Sequence, residues 1–331
     1  GMGIPTGTTL IVGGGYHGKT TLLNAIQNGV YNHIPGDGRQ WVISRDDTVK
    51  IRAEDGRSVR AVDISGFIRN LPTGKNTRSF DTDNASGSTS MASSIVEAIE
   101  SGAKVLLFDE DTSATNFMIK DDRMVNLIEN EPIVPLVDRL NELYQNFGIS
   151  VIIVVGGAGE YLDMADNVIL MEEFEPIDVG EKSREIVKTF PSHRVHKPEP
   201  MGNPRNRIVL RRGFSSARGK KRQYVRIKNK TILYGDQSID LTSIEQLLLP
   251  AQTRAIGNAM AYMEDKIGEL TIGEILHRVE SILTENGLSE FIVYGAIPPD
   301  LAYFRRYEFA CAINRLRSLC VKQVDSTNRT E

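Results

Sequence analysis

The 331-residue sequence predicts an α/β fold: a doubly wound, mainly parallel sheet, then a basic β-ribbon and a helical C-terminal domain. Three observations carry this. Residues 10–26 read as strand, glycine-rich loop and helix. Val105-Leu106-Leu107-Phe108-Asp109-Glu110 reads as a buried parallel strand ending in an acidic pair. Strand and helix patterns alternate to about residue 174, after which the composition changes.

The first element is the most specific. Leu10-Ile11-Val12 is a short apolar strand, and the run from Thr21 to Ile26 opens a helix. Between them Gly13-Gly14-Gly15-Tyr16-His17-Gly18-Lys19-Thr20 fits G-x-x-x-x-G-K-[ST] in the strand–loop–helix context that gives the pattern a mechanism. The glycines let backbone N–H groups close on phosphate oxygens, and the helix N-terminus adds partial positive charge. Lys19 is placed for the β and γ phosphates and Thr20 for Mg²⁺. At the carboxyl end of the strand from 105, Asp109 is the second candidate for Mg²⁺, and Glu110 is placed to polarise an attacking water. A small polar residue after the strand at 59–64, Ser65, is a further candidate for Mg²⁺ contact.

Asn84-Ala85-Ser86-Gly87-Ser88-Thr89 reads as a loop with a helix cap before a helical run at 90–101. With Asp111-Thr112-Ser113-Ala114-Thr115-Asn116 it completes a set of three motifs in order, in which the chain resembles the ATP-binding-cassette (ABC) class of P-loop ATPases. Residues 85–89 fall where that class has Leu-Ser-Gly-Gly-Gln, and residues 111–116 where it has its D-loop. Gly13 to Thr21, Gly29 to Arg39 and Arg305 to Arg317 are similar to a family of non-transporter predicted ATPases of this class. The resemblance implies ATP and Mg²⁺ as ligands, Lys19 and Glu110 as catalytic groups, and nucleotide contacts from Gly13 through Thr21. It also implies a homodimer with ATP between protomers, in which Ser86, Gly87 and Ser88 act on the facing nucleotide. In that family an N-terminal domain precedes the ATPase core. The early arrival of the phosphate loop agrees with that, so part of the core is expected to be missing here.

Several positions depart from the class. Tyr16 replaces the fourth glycine of the loop, Ser88 the second Gly of the signature and Thr89 its Gln. The strand at 150–155 runs into Gly156-Gly157-Ala158-Gly159, where the class has a switch histidine. Backbone N–H groups of these glycines are the expected replacement. No glutamine loop is evident, and the aromatic residue that stacks on adenine normally lies upstream of the first residue.

The expected domains are an ATPase core at 1–175, a Pro-rich connector at 176–204 without long regular elements, the basic ribbon at 205–236, and the helical domain at 237–331. Residues 166–172 read as the last core strand. No acidic residue occurs from 201 to 235, whereas Arg205, Arg207, Arg211, Arg212, Arg218, Lys220, Lys221, Arg222, Arg226, Lys228 and Lys230 do. Strands at 208–210 and 224–227 with a mobile basic loop between them make a ribbon suited to nucleic-acid backbone, through Arg211, Arg212, Arg218, Lys220, Lys221 and Arg222. Beyond it, a capping box at Thr242–Glu245 and helices at 252–266, 272–286 and 301–320 are expected. Tyr303, Phe304, Tyr307 and Phe309 read as packing residues, and Arg305, Arg306, Arg315 and Arg317 as solvated helix faces.

The net charge of −4 gives no nucleic-acid signal for the whole molecule. Two cysteines, Cys311 and Cys320, form no disulfide framework and suggest a reducing, intracellular compartment, cytoplasm or an organelle matrix such as the mitochondrion. No stretch has the length of a membrane-spanning helix, so no membrane partner is expected. The expected function is an ATP-gated dimer that binds or remodels nucleic acid, RNA over DNA because the interval before the signature is too short for coiled-coil arms. The alternative is a nucleotide-gated protein-interaction switch with slow turnover.

Overall fold

The computed structural model describes residues 1–128, 130–192, 198–292 and 296–324. Strands β1 (Thr8–Val12), β2 (Thr48–Lys50), β3 (Val59–Val62), β4 (Phe80–Thr82), β5 (Val105–Asp109), β6 (Ser150–Val154), β7 (Asn167–Glu172) and β8 (Glu175–Asp178) belong to the first half. So do helices α1 (Lys19–Asn28), α2 (Gly87–Glu100), α3 (Thr115–Met118), α4 (Asp122–Leu127), α5 (Leu140–Phe147) and α6 (Gly180–Thr189). Six strands form one sheet in the order β2-β5-β6-β1-β7-β8, parallel except for the last pairing. Leu10 and Ile11, adjacent in β1, are both fully buried because the sheet is covered on both faces. Ile11, Leu107, Ile152 and Ile169 pack with Leu23 and Ile26 of α1. Leu10, Leu106, Val151 and Val168 face the larger core shared with α2 and α5.

The second half has β9 (Asn206–Val209), β10 (Val225–Lys228), β11 (Thr231–Tyr234), β12 (Gln237–Asp240), α7 (Pro250–Met263), α8 (Ile272–Glu285), α9 (Arg306–Asn314) and β13 (Val321–Val324). β10-β11-β12 form an antiparallel meander that lies on α7. A Cβ on Gly257 would come within 2.9 Å of Ile227, so this glycine sets how closely the helix approaches. Ile232, Tyr234, Ile239, Ile256, Met260, Leu276 and Phe309 form a core separate from that of the first half.

Four expectations are corrected. Strands occur near 208 and 225 but do not pair with each other: β9 pairs with β13 and β10 with β11, so no single ribbon exists. The expected connector contains β8 and the ten-residue α6, because no proline falls between Pro176 and Pro191; its stretch at 193–197 lies outside the described residues. Thr242 caps no helix, since its hydroxyl bonds Asp240 and α7 begins at Pro250. A Thr-Glu capping box is formed instead by Thr271 with Glu274, at the start of α8. Nor are the late arginines all solvated: Arg305 and Arg315 are 3% and 8% exposed.

These arginines join the halves. Arg305 pairs with Glu308 at 2.5 Å and donates to the carbonyls of Asp46 and Thr48. Arg315 pairs with Glu54, and Arg207 with Glu100 at 2.6 Å, both partners of the latter pair almost wholly buried. Burial works against the Arg207 charge, but the carboxylates of Glu100 and Glu97 more than restore it, so the guanidinium titrates above its ordinary value. Gln246 closes the open edge of β2: its amide accepts from the Lys50 N–H and donates to the Thr48 carbonyl, as a neighbouring strand would.

Removing one charge of a buried pair leaves the other without compensation. Glu100→Gln is therefore expected to cost about 3–5 kcal/mol in urea denaturation, and Arg207→Met combined with Glu100→Leu to recover most of that loss.

Candidate functional site

The phosphate loop leaves β1 through backbone conformations that few residues accept. Gly13, Tyr16 and Gly18 have φ of 144°, 62° and 94°. A Cβ on Gly13 would meet the Met171 carbonyl at 2.4 Å, so this loop can lie against β7 only with glycine there. Tyr16 occupies a left-handed position that glycine would take freely, at a strain of about 1 kcal/mol or more, and its side chain is fully exposed. α1 then begins at Lys19 with no side-chain cap and no acidic residue in its first turn. Its first N–H groups and partial positive charge are thus left for an anion. Lys19 Nζ donates to the carbonyls of Gly13 and Gly14 at 2.8 and 2.7 Å, which holds the ammonium over its own loop.

The carboxyl ends of β5 and β6 bring the acidic groups to this loop. Thr20 Oγ1 donates to Asp109 Oδ2 at 3.2 Å, and Asp109 is 2% exposed. Its other oxygen accepts from the Asp111 N–H. Among the described residues, no three His, Cys, Asp or Glu side chains converge on a common point. A hydroxyl beside one buried carboxylate nevertheless suits Mg²⁺, which takes few protein ligands and fills its octahedron with phosphate oxygens and water. Ser65 is not part of this group; its hydroxyl bonds Asp63, and it lines another cavity with Arg69 and Arg78.

Glu110 Oε2 accepts from the Gly156 N–H at 2.6 Å. The glycine run after β6 therefore holds the carboxylate, and the Gly156 N–H expected to face a phosphate is engaged by Glu110. Behind that run, Val12, Gly13, Val155 and α6 enclose an apolar cavity of about 310 Å³.

Ser86 is the N-cap of α2 and accepts from the Thr89 N–H, so Thr89 is engaged by the cap. Gly87 lies under the loop that follows β5: a Cβ there would come within 3.3 Å of the Ala114 methyl. Ser86 is exposed and Ser88 is buried. The three line a cavity of about 430 Å³ with Asp55, Ala114 and Asn116, to which no residue from 13 to 21 contributes.

Most of the basic residues of 205–230 lie on the surface of the second half, whereas Arg207 is buried against Glu100. Arg218 and Lys221 close a bridge by mutual backbone bonds at 2.9 and 3.0 Å, with Gly219 and Lys220 at its tip. Glu264 holds the base of this turn through Ser215 and Ser216. The stretch expected to be a mobile loop is thus anchored. Arg218, Lys221 and Arg226 surround the ring of Tyr224 at 4.6, 5.5 and 5.4 Å. Arg211 and Arg222 pair with Asp265, and Arg218 with Asp236, while Arg212 and Lys220 are exposed.

Sequence reasoning missed the turn between β7 and β8. Glu172 pairs with Glu175, so Glu173 and Phe174 alone make the turn, and both have positive φ, 48° and 69°. Glu173 donates its N–H to His17 Nδ1 at 2.9 Å, and the Phe174 ring lies against Gly18. The sequence signal for such turns is Asn-Gly or Asp-Gly, which Glu-Phe does not carry.

Comparison with known proteins gives two family matches. The model of the ABC ATPase P-loop domain matches residues 1–207, and that of the MRB1590 C-terminal domain residues 225–322. The uncharacterized protein MJ1628 of Methanocaldococcus jannaschii is 33% identical over 166 residues, 50% of this chain and 36% of that protein. The chain thus matches little more than a third of the length of this curated relative. Among solved structures, the ADP conformation of MJ1267, an ATP-binding cassette of an ABC transporter, is 15% identical with a TM-score of 0.36. That match covers 56% of this chain and 85% of the other. CbiO1 of Clostridium perfringens, part of the ABC transporter complex cbiONQ, is 18% identical with a TM-score of 0.37, over 57% and 87%. Neither likeness is close enough to bear on function. Among the described residues, no helix is long and apolar enough to cross a membrane.

Gly13→Ala is expected to force the loop off β7 and lower stability in urea by about 2 kcal/mol. Tyr16→Gly, relieving a left-handed φ, is expected to raise it by about 1 kcal/mol.

Proposed function

The chain belongs to the ABC ATPase P-loop-domain family, and from that premise we propose that it binds Mg-ATP between two copies of itself, hydrolyses it, and couples the cycle to nucleic acid, RNA over DNA. The observation that carries the ATPase reading is the convergence of Lys19, Thr20, Asp109 and Glu110 at the carboxyl ends of β1 and β5, with Gly156 bracing Glu110 from β6.

In this reading the loop from Gly13 to Thr21 cradles the phosphates with its N–H groups. Lys19 exchanges the carbonyls of Gly13 and Gly14 for β- and γ-phosphate oxygens. Thr20 and Asp109 hold Mg²⁺, which supplies positive charge to the phosphate oxygens when bound. Glu110 accepts a proton from the attacking water as general base, and its bond to Gly156 fixes the carboxylate while doing so. Ser86 and Gly87 front a cavity apart from their own phosphate loop, which suits action on the nucleotide of a facing protomer. Ser88 lies in its wall.

The nucleic-acid part rests on the concentration of one sign of charge. Arg212, Lys220 and their neighbours present cations to a phosphate backbone without acidic groups between them in sequence. A second reading is favoured by a specific contact. Arg211 and Arg222 already share Asp265, a pairing that an acidic protein partner could replace.

Glu110→Gln is expected to keep ATP affinity, lower turnover about 100-fold or more, and shift the chain toward a dimer by light scattering. Normal hydrolysis by this variant removes Glu110 from the role of base. With that variant holding ATP, titration with single-stranded RNA, duplex RNA and DNA at two salt concentrations tests the rest. Lys220→Glu, Lys221→Glu and Arg222→Glu together are expected to abolish polynucleotide binding at moderate salt and leave ATP affinity intact. Unchanged binding eliminates the basic surface, and failure of every polynucleotide to bind favours the protein-switch reading.

A further inference from the structure

We infer that Phe174, on the turn between β7 and β8, is the surface on which the nucleobase stacks; the inference rests on the ATP reading above. The order of the sheet supplies the direction. β6 and β5 lie on one side of β1, and they carry the Glu110–Gly156 and Asp109–Thr20 contacts. The metal-bearing, reacting end of a bound triphosphate belongs on that side. A triphosphate lying in the loop between Gly13 and Thr20 then releases its nucleoside on the other side of β1, over the end of β7.

Phe174 stands at that end. Its ring is beside Gly18, so close that a Cβ there would lie 2.8 Å from Cδ1, yet the residue is 69% exposed. It is therefore no core plug. The backbone beneath it is strained, since both residues of a two-residue turn have positive φ and neither is glycine. The Glu173 N–H to His17 Nδ1 bond fastens this turn to the phosphate loop. Folding alone would be served better by Asn-Gly at these positions. An exposed aromatic ring retained on a strained turn, tied to the loop that grips phosphate, points to a ligand with a flat apolar face. Phenylalanine offers no hydrogen bond to a base edge, so it reads the π-face only. Discrimination between ATP and GTP should be slight, and both should bind more tightly than pyrimidine nucleotides, which stack over less area.

The test uses the whole chain with Mg²⁺ and three probes: ATP, GTP and inorganic tripolyphosphate. Phe174→Gly removes the ring and suits the left-handed φ, so its urea midpoint should not fall. It should weaken ATP about tenfold and leave tripolyphosphate within about twofold of the native value. In a Trp41→Phe background, which removes the single native tryptophan, Phe174→Trp should keep ATP binding. Its fluorescence should be quenched by ATP and GTP and not by tripolyphosphate. Native-like ATP affinity in Phe174→Gly overturns the inference, as does an equal loss of tripolyphosphate, which would make the turn a prop for the loop. Loss of ATP affinity on Tyr16→Gly alone would transfer the role to Tyr16. If the native chain binds tripolyphosphate as tightly as ATP, only the base contact falls; if it binds neither, the ATP reading falls and this one with it.

Discussion

Buried arginine–carboxylate pairing around α2 is the constraint on which the arrangement of the molecule depends. Glu97 near the end of that helix pairs with Arg57, and Glu100 with Arg207 of β9. Arg315, at the end of α9, pairs with Glu54 close by. Such pairs recover little more than the cost of removing their charges from water, so their effect falls mainly on which packing is allowed. Sliding β9 or α9 along α2 would strand a charge in an apolar setting. The helix that begins with Ser86 and Gly87 therefore moves with much of the second half or not at all. A nucleotide drawing on that N-terminus would act on both lobes together.

The phosphate loop is built by a different economy. Its left-handed positions are fixed by close approach: Met171 leaves no room for a side chain at Gly13, and Phe174 none at Gly18. Lys19 stays over the loop through two carbonyls of its own segment, and Thr20 meets Asp109 from two strands away. The loop is thus held in shape by the parallel sheet.

Legibility in the sequence followed the range of the interactions. The phosphate loop, the strand ending in Asp109 and Glu110, and the helix after Ser86 are local patterns, and each occurs where its residues indicate. The pairing of β9 with β13 joins positions more than a hundred residues apart, and nothing local in Asn206–Val209 announces it. Arg305 and Arg315 looked like surface residues because their partners, Glu308 and the Cys311 carbonyl apart, come from Asp46, Thr48 and Glu54 at the other end of the chain. At Glu173-Phe174 the local signal pointed away from the conformation adopted. That mismatch is of the kind expected at functional positions, where backbone preference yields to another requirement.

The two borders of the large sheet limit how copies of this chain can associate. On the β2 side, the Gln246 amide and the Arg305 guanidinium occupy the polar groups that an incoming strand would need. On the β8 side, Pro176 lacks an N–H, and Glu175 and Asp178 place like charges along an exposed border. Both ends of the six-stranded array are therefore blunted against strand addition. Copies of the chain are therefore hindered from joining by extension of this sheet, and the same blunting opposes cross-strand aggregation along these two borders.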